Sequence, residues 1–133
     1  MKAEVAQMKR QGTGGAILFT TSVLASIGDV GTSIYSASKG GLVSMARAAA
    51  VELGAVDIRV NCISPALTRT PMTNARIAAQ DNGSATHPFA LNIPLKRLAE
   101  ADDMAQVALF LLSDRSSYID GQALVVDGGQ SAF

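Results

Sequence analysis

Residues 57–64 read Asp-Ile-Arg-Val-Asn-Cys-Ile-Ser. This near-continuous apolar and β-branched run is typical of a strand buried on both faces of a parallel sheet. Residues 16–21, Ala-Ile-Leu-Phe-Thr-Thr, predict a second buried strand of the same kind. Between them, residues 34–53 carry apolar side chains at three- and four-residue spacing, which predicts a long helix that stops at Gly54 with a glycine cap. Together the three elements predict a right-handed β-α-β unit.

Further elements are predicted on both sides of this unit. Residues 2–10 have the amphipathic pattern of a helix end, and the glycine-rich residues 12–15 follow it. A phosphate-binding glycine loop follows a strand and opens a helix, so the reverse order here favours a plain turn. Ala101–Leu112 predicts a helix with an acidic first turn, and Ala123–Val126 predicts a third strand. We therefore expect one α/β domain over residues 1–133, with three parallel strands and flanking helices.

The regular pattern is interrupted over residues 66–99. Prolines and the Asn82-Gly83 pair divide this segment, and only residues 72–80 predict a helix. An excursion of this length in a compact domain is usually a functional loop. We expect residues 66–99 to form a lid over a substrate and cofactor site.

The composition narrows the classes of function. Of 133 residues, 48% are hydrophobic and 17% charged, which is typical of a globular, core-forming chain. Lys+Arg equals Asp+Glu at 11 each, and the basic residues are scattered, so we expect no nucleic-acid partner. No apolar run has the length of a signal peptide or a membrane helix, so we expect no membrane association. Cys62 is the only cysteine and His87 the only histidine, so we expect neither an internal disulfide nor a metal site. We expect the chain to reside in the reducing cytoplasm.

Tyr35 and Lys39 are the first candidates for chemistry. They are four residues apart on the predicted helix, so they share one of its faces. A phenol is a weak base near neutral pH, and a neighbouring ammonium favours its ionised form, so the pair can act as an acid–base device. The spacing alone is a weak signal, because such a pair can simply decorate an exposed helix. Ser22, directly after the first strand, adds a hydroxyl group 13 residues before the tyrosine.

Four segments taken together resemble the classical branch of the short-chain dehydrogenase/reductase family. They are residues 14–22, the Tyr-x-x-x-Lys motif of residues 35–39, the segment 58–65 that contains Arg-Val-Asn and ends in proline, and residues 120–129 with their terminal Val-Asp-Gly-Gly. The resemblance covers essentially the whole chain. It implies a Rossmann-like parallel sheet, here the C-terminal half of a doubly wound dinucleotide-binding fold. It also implies hydride transfer between NAD or NADP and a small-molecule alcohol or carbonyl substrate.

The resemblance implies a role for each residue of the catalytic trio. Tyr35 would be the general acid/base, and Lys39 would favour its phenolate while also binding the nicotinamide ribose. Ser22 would orient the substrate oxygen and stabilise its developing charge.

The loop after the second strand resembles the family's Pro-Gly-x-x-x-Thr loop, which holds the nicotinamide carboxamide. The resemblance therefore implies cofactor contacts from Pro65, Ala66, Thr68 and Thr70. Ala66 stands where glycine is usual, which leaves less backbone freedom and less room beside the cofactor. The two threonines have a second interpretation, in which their hydroxyls satisfy backbone groups of the loop itself.

The family's glycine-rich first turn and its adenosine-ribose discriminator would precede residue 1. Two hypotheses follow. In the first, the chain is an oxidoreductase of this family with the trio Ser22, Tyr35 and Lys39, either as part of a longer chain or complemented by another polypeptide. In the second, it is a truncated, non-catalytic half that acts as an assembly module. The resemblance implies a homo-oligomer under both.

Overall fold

Three parallel strands form the centre of the computed structural model, which describes residues 1–132. They are β1 (Gly15–Thr20), β2 (Ile58–Pro65) and β3 (Ala123–Val126), in the spatial order β1-β2-β3. Cys62 of β2 lies opposite Phe19 of β1 and Ala123 of β3. The parallel three-stranded sheet predicted from the apolar runs is thereby confirmed. Since β2 takes the central position, β1 is an edge strand among the described residues.

Four helices accompany the sheet, each within two residues of its predicted bounds. They are α1 (Lys2–Gln11), α2 (Ser33–Leu53), α3 (Pro71–Ala79) and α4 (Ala101–Leu112). Shorter 3₁₀ turns connect them, including one at Val23–Ala25 that follows β1. No helix within residues 1–132 has the length and apolarity needed to cross a bilayer.

The helix α2 ends as predicted, with Gly54 as its C-cap residue. That glycine is right-handed with a φ of −57°, and a 3₁₀ turn continues over Gly54–Val56. The left-handed residue is Asp57, with a φ of 58°. Its carbonyl accepts from the amide of Gly15 at 3.0 Å, and a Cβ on Gly14 would lie 2.4 Å from it. The close approach of the α1–β1 turn to this carbonyl therefore requires glycine at position 14.

The main core lies between α2 and the sheet. Small residues on one face of the helix pack on β2, whose apolar side chains are fully buried; the cluster comprises Ala46, Ala49, Ala50, Leu53, Ile58, Val60 and Cys62. Short side chains let the helix approach the strand closely, so α2 is held firmly over the sheet. Burial raises the pKa of the Cys62 thiol, which disfavours the reactive thiolate.

Arg59 ties β2 to the connection between α4 and β3. Its guanidinium donates four hydrogen bonds of 3.0 to 3.3 Å, to Leu111 O, Ser113 O, Ser116 Oγ and Ile119 O. These acceptors belong to the end of α4 and the turn after it, where carbonyls lack partners within the helix. One side chain therefore satisfies the end of the helix from the neighbouring strand.

Asn61 and Asp120 continue this connection along β2. The side-chain Nδ2 of Asn61 donates to Ile119 O at 2.8 Å, and its Oδ1 accepts from the Gln122 backbone amide at 2.9 Å. The Asp120 carboxylate accepts from the Val60 amide at 2.7 Å. The Arg-Val-Asn and Asp-Gly-Gln segments of the sequence are thus two halves of one hydrogen-bonded structure, which we call the Arg59 anchor.

Candidate active site

The candidate residues lie at the carboxyl edge of the sheet. Ser22 comes two residues after β1, and Pro65 is the last residue of β2. The amide of Ala66 donates to Val126 O at the end of β3, at 3.1 Å. The carboxyl ends of parallel strands share one edge of a sheet, and folds of this type bind their ligands there.

Tyr35 and Lys39 stand in the first two turns of α2. The Lys39 ammonium reaches back to β1 and donates to Thr20 O at 3.1 Å, while lying 5.7 Å from the centre of the Tyr35 ring. Tyr35 is 46% exposed, so its phenol is open to a ligand. The structure therefore brings the ammonium between the end of the first strand and the tyrosine ring.

Ser22 is fixed by the turn that follows it. It is the N-cap residue of the Val23–Ala25 turn, and its hydroxyl oxygen accepts from the Leu24 amide at 3.2 Å. This contact uses an oxygen lone pair and leaves the hydroxyl proton available for donation. The residue is only 7% exposed, and α2 packs against its turn, so the hydroxyl is held near the helix that carries Tyr35.

A buried hydroxyl pair beside Ser22 was not recognised from the sequence. Thr21 Oγ1 lies 3.0 Å from Ile63 O and 2.6 Å from Ser64 Oγ. Because Thr21 has one hydroxyl proton and directs it to the carbonyl, Ser64 donates to Thr21. The pair joins the ends of β1 and β2, and it thereby fixes the position of the backbone that carries Ser22. The sequence signal for this pair was the presence of a hydroxyl residue at the end of each of two adjacent predicted strands.

In the loop after β2, both threonines have local partners. Thr68 is buried, donates to Ala66 O at 3.0 Å and forms an isolated bridge with Ala99. Thr70 is the N-cap residue of α3, with its hydroxyl 3.0 Å from that of Thr73. Thr73 gives its own proton to Thr68 O, so Thr70 donates to Thr73. The Thr70 oxygen also accepts from the Thr73 backbone amide in a capping box, which leaves it one further lone pair. The helix start at Thr70-Pro71 was readable from the sequence, since proline favours the first helical position.

Residues 66–99 have a small core of their own, formed by Ile77, Ala90, Ile93 and Leu98. His87 closes this segment: its Nε2 lies 3.0 Å from Ile77 O, and its Nδ1 accepts from the Phe89 amide at 3.2 Å. Accepting at Nδ1 leaves the ring proton on Nε2. The only histidine is therefore a structural contact within the segment.

Two clefts border this segment rather than the trio. One of about 540 Å³ runs along α3 past Arg69 and Thr70, and one of about 120 Å³ lies beside Ala66 and the end of β3. Ser22, Tyr35 and Lys39 line neither of the two. Within the trio, Tyr35 is exposed whereas Ser22 is buried.

Arg97 attaches the end of the segment to α4 through a bidentate ion pair with Asp103, at 2.7 and 2.9 Å. The hydrogen bonds from Arg97 and from the Glu100 amide lower the pKa of Asp103 to about 2. A lowered carboxyl pKa stabilises the fold above the ordinary value of 3.8, and this contribution is lost as the pH falls through about 2.

We expect Asp103→Asn to lower the urea midpoint at neutral pH and to match the unmodified chain near pH 2. Asp102→Asn is the matched control, because the Asp102 carboxylate accepts only a long 3.4 Å bond from Gln106. Urea unfolding between pH 7 and 2 measures both. A difference in midpoint that stays constant down to pH 2 would contradict the assignment.

Comparison with known proteins bears on the fold and the family of the chain. The family model described as "Enoyl-(Acyl carrier protein) reductase" matches residues 1–131. The 3-oxoacyl-[acyl-carrier-protein] reductase FabG of Chlamydia pneumoniae is 42% identical over 115 residues, which are 86% of this chain and 44% of that protein. A short-chain type dehydrogenase/reductase from Mycobacterium ulcerans superposes with a TM-score of 0.86 at 38% identity, over 97% of this chain and 46% of that one.

The fold is also shared at low identity with the NADP-bound structure of ElxO, at a TM-score of 0.88 and 23% identity over 100% of this chain and 52% of that one. The chain spans about half the length of the curated relatives it matches. Its three-stranded sheet thus corresponds to about half of the Rossmann-type fold. From the match over residues 1–131, the chain belongs to the short-chain dehydrogenase/reductase family of oxidoreductases.

Proposed function

We propose that Ser22, Tyr35 and Lys39 are the catalytic centre of an oxidoreductase that uses NAD or NADP to interconvert an alcohol and a carbonyl compound. The observation that carries this proposal is the position of Lys39, whose ammonium contacts Thr20 O and lies 5.7 Å from the Tyr35 ring. Membership of an oxidoreductase family and the exposure of the phenol support it.

Tyr35 moves the proton in this proposal. During reduction its hydroxyl gives a proton to the substrate oxygen, and during oxidation its phenolate takes the proton back. Lys39 places a positive charge 5.7 Å from the centre of the ring that carries this hydroxyl. Ser22 keeps its own proton and donates a hydrogen bond to the same substrate oxygen, which stabilises the charge that develops there.

The residues present fit a nicotinamide nucleotide. An ammonium has three donors, and Lys39 gives one of them to Thr20 O, so the others can bind ribose hydroxyls beside Tyr35. The remaining lone pair of the Thr70 oxygen suits an amide donor of a carboxamide, with Pro65, Ala66 and Thr68 shaping the loop beside it. When bound, the cofactor supplies the hydride.

The names of relatives bear on the ligands. The Chlamydia pneumoniae relative is named as a reductase of a 3-oxoacyl group, and the ElxO structure is described as having NADP bound. We therefore propose a carbonyl or alcohol substrate and leave NAD and NADP as two arms of one experiment. The unpaired edge of β1 supports association with a further strand, from the same polypeptide or another copy.

Titration with NADH and with NADPH tests the proposal. We expect saturable binding, and Lys39→Met should weaken it roughly ten- to a hundredfold through the loss of charge-assisted hydrogen bonds. Lys9→Met removes an exposed lysine of α1 and should leave the affinity unchanged. The titration is run on the 133-residue chain and on the same chain preceded by the glycine-rich half of a relative. Absence of binding in both would overturn the enzyme proposal and favour the assembly module.

A further inference from the structure

An exposed loop beyond α3 contains a reactive sequence that the proposed chemistry does not use. Residues 81–84 read Asp-Asn-Gly-Ser and are all exposed. Asparagine is among the thermolabile residues, because its side-chain amide can be attacked by the backbone nitrogen of the next residue. Glycine is the least hindered residue at that following position, since it has no Cβ.

The attacking nitrogen has a base beside it. The Gly83 amide donates to Asp81 Oδ1 at 2.9 Å, so a carboxylate is already placed to accept its proton. Apart from Gly83 and its two chain neighbours, no residue has a heavy atom within 4 Å of the position that a Cβ on Gly83 would occupy. The nitrogen therefore has a base beside it and belongs to an uncrowded residue.

The group under attack is polarised as well. Asn82 Oδ1 accepts from the Ser84 amide at 3.2 Å and lies 2.6 Å from Ser84 Oγ, whose one proton has Thr86 O at 2.7 Å as a second acceptor. Donors on a carboxamide oxygen draw electron density from its carbon and stabilise the oxyanion that forms when a nucleophile adds. The loop thus carries a base for the nucleophile, and Ser84 supplies the donors that face the electrophile.

We propose that Asn82 is a site of spontaneous deamidation. The Gly83 nitrogen forms a bond to Asn82 Cγ, and the bond from Cγ to Asn82 Nδ2 breaks. Nδ2 leaves as ammonia, with its own two protons and the proton of the Gly83 amide. Water then opens the resulting succinimide at either carbonyl and yields aspartate or isoaspartate. The net reaction consumes one water and releases one ammonia, with no change of oxidation state.

The modification places a negative charge next to Asp81, in the loop between Ile77 and His87. An isoaspartate also adds a methylene to the backbone between Ile77 and His87, which are linked by the 3.0 Å contact to Ile77 O. The chemical change therefore falls within the segment of residues 66–99, between the two residues that this contact joins.

The other asparagines provide internal controls. Asn74 and Asn92 are also exposed, but Asn74 lies inside α3 before an alanine, and Asn92 precedes the branched Ile93. Asn61 is 1% exposed in β2. Exposure alone therefore does not distinguish Asn82 from Asn74 and Asn92.

Incubation of the 133-residue chain at 37 °C and mildly alkaline pH tests the site, with peptide mapping and an isoaspartyl methyltransferase assay as readouts. We expect Asn82 to convert while Asn74 and Asn92 persist, with isoaspartate exceeding aspartate. Conversion of Asn82 no faster than that of Asn74 and Asn92 would overturn the proposal.

The assigned geometry has its own test. Asp81→Ala and Ser84→Ala should each slow the conversion several-fold in the folded chain and have little effect on the chain unfolded in urea. Equal rates for the variants and the parent in the folded state would overturn the assisting roles. Thermal unfolding of each variant confirms that it is folded under the assay conditions.

Discussion

Tyr35→Phe is expected to lower NAD(P)-dependent turnover by roughly 10²- to 10⁴-fold, the usual contribution of a general acid–base group. The substitution removes only the phenol oxygen, so no proton can pass between the chain and the substrate oxygen at this position. The ring stays in place beside the Lys39 ammonium, whose bond to Thr20 O does not involve the phenol. Cofactor affinity should therefore change much less than turnover.

The measurement needs the nucleotide-binding part of the fold, because this chain spans about half of its relatives. Steady-state kinetics on the chain joined to the glycine-rich half of a relative provide it, with cofactor titration on the same samples. Tyr118→Phe is the matched control, since the other tyrosine of the chain is fully exposed. Turnover of Tyr35→Phe equal to that of Tyr118→Phe would remove Tyr35 from the proposed mechanism.

The second large effect is on stability. Arg59→Met should lower the free energy of unfolding by about 3 kcal/mol, because it removes four hydrogen bonds from a charged donor in a partly buried setting. Leu111 and Ser116, which supply two of the acceptors, are 2% and 1% exposed. Since whole domains are stable by only about 5–15 kcal/mol, the variant should unfold at a clearly lower urea concentration.

Arg69→Met is the control for the loss of an arginine. Arg69 forms an exposed ion pair with Glu100 at 3.3 Å, and such pairs contribute about 0–1 kcal/mol. The loss of unfolding free energy for Arg59→Lys should fall between those for Arg59→Met and Arg69→Met, because an ammonium keeps the charge but cannot span the same set of acceptors. A loss for Arg59→Met as small as that for Arg69→Met would show that the Arg59 anchor does not stabilise the fold.

The fold was predictable because its signals are local. The apolar runs of β1 and β2 and the spacing in α2 depend on neighbouring residues, and all three elements lie close to their predicted bounds. The end of α2 at Gly54 was predicted as well, but the left-handed residue Asp57, whose carbonyl accepts from the amide of Gly15, was not. That contact joins residues more than forty positions apart.

The candidate site was only partly predictable for the same reason. The family resemblance selected Ser22, Tyr35 and Lys39, but nothing in the spacing placed the Lys39 ammonium on Thr20 O. The hydroxyl pair of Thr21 and Ser64 and the four acceptors of Arg59 are likewise long-range contacts between polar groups. Hydrophobic periodicity indicates which face of an element is buried, and carries no information on which distant polar group a buried polar side chain meets.

The Arg59 anchor also bears on how the chain acquires its structure during synthesis. Translation delivers β1, α2 and β2 first, but the acceptors of Arg59 and the partners of Asn61 lie between residues 111 and 122. Until that stretch has left the ribosome, the polar groups of the central strand remain in water and their burial is opposed. Burial of these groups is thus coupled to the arrival of β3, and nascent chains ending before residue 111 should stay open to chaperones and proteases.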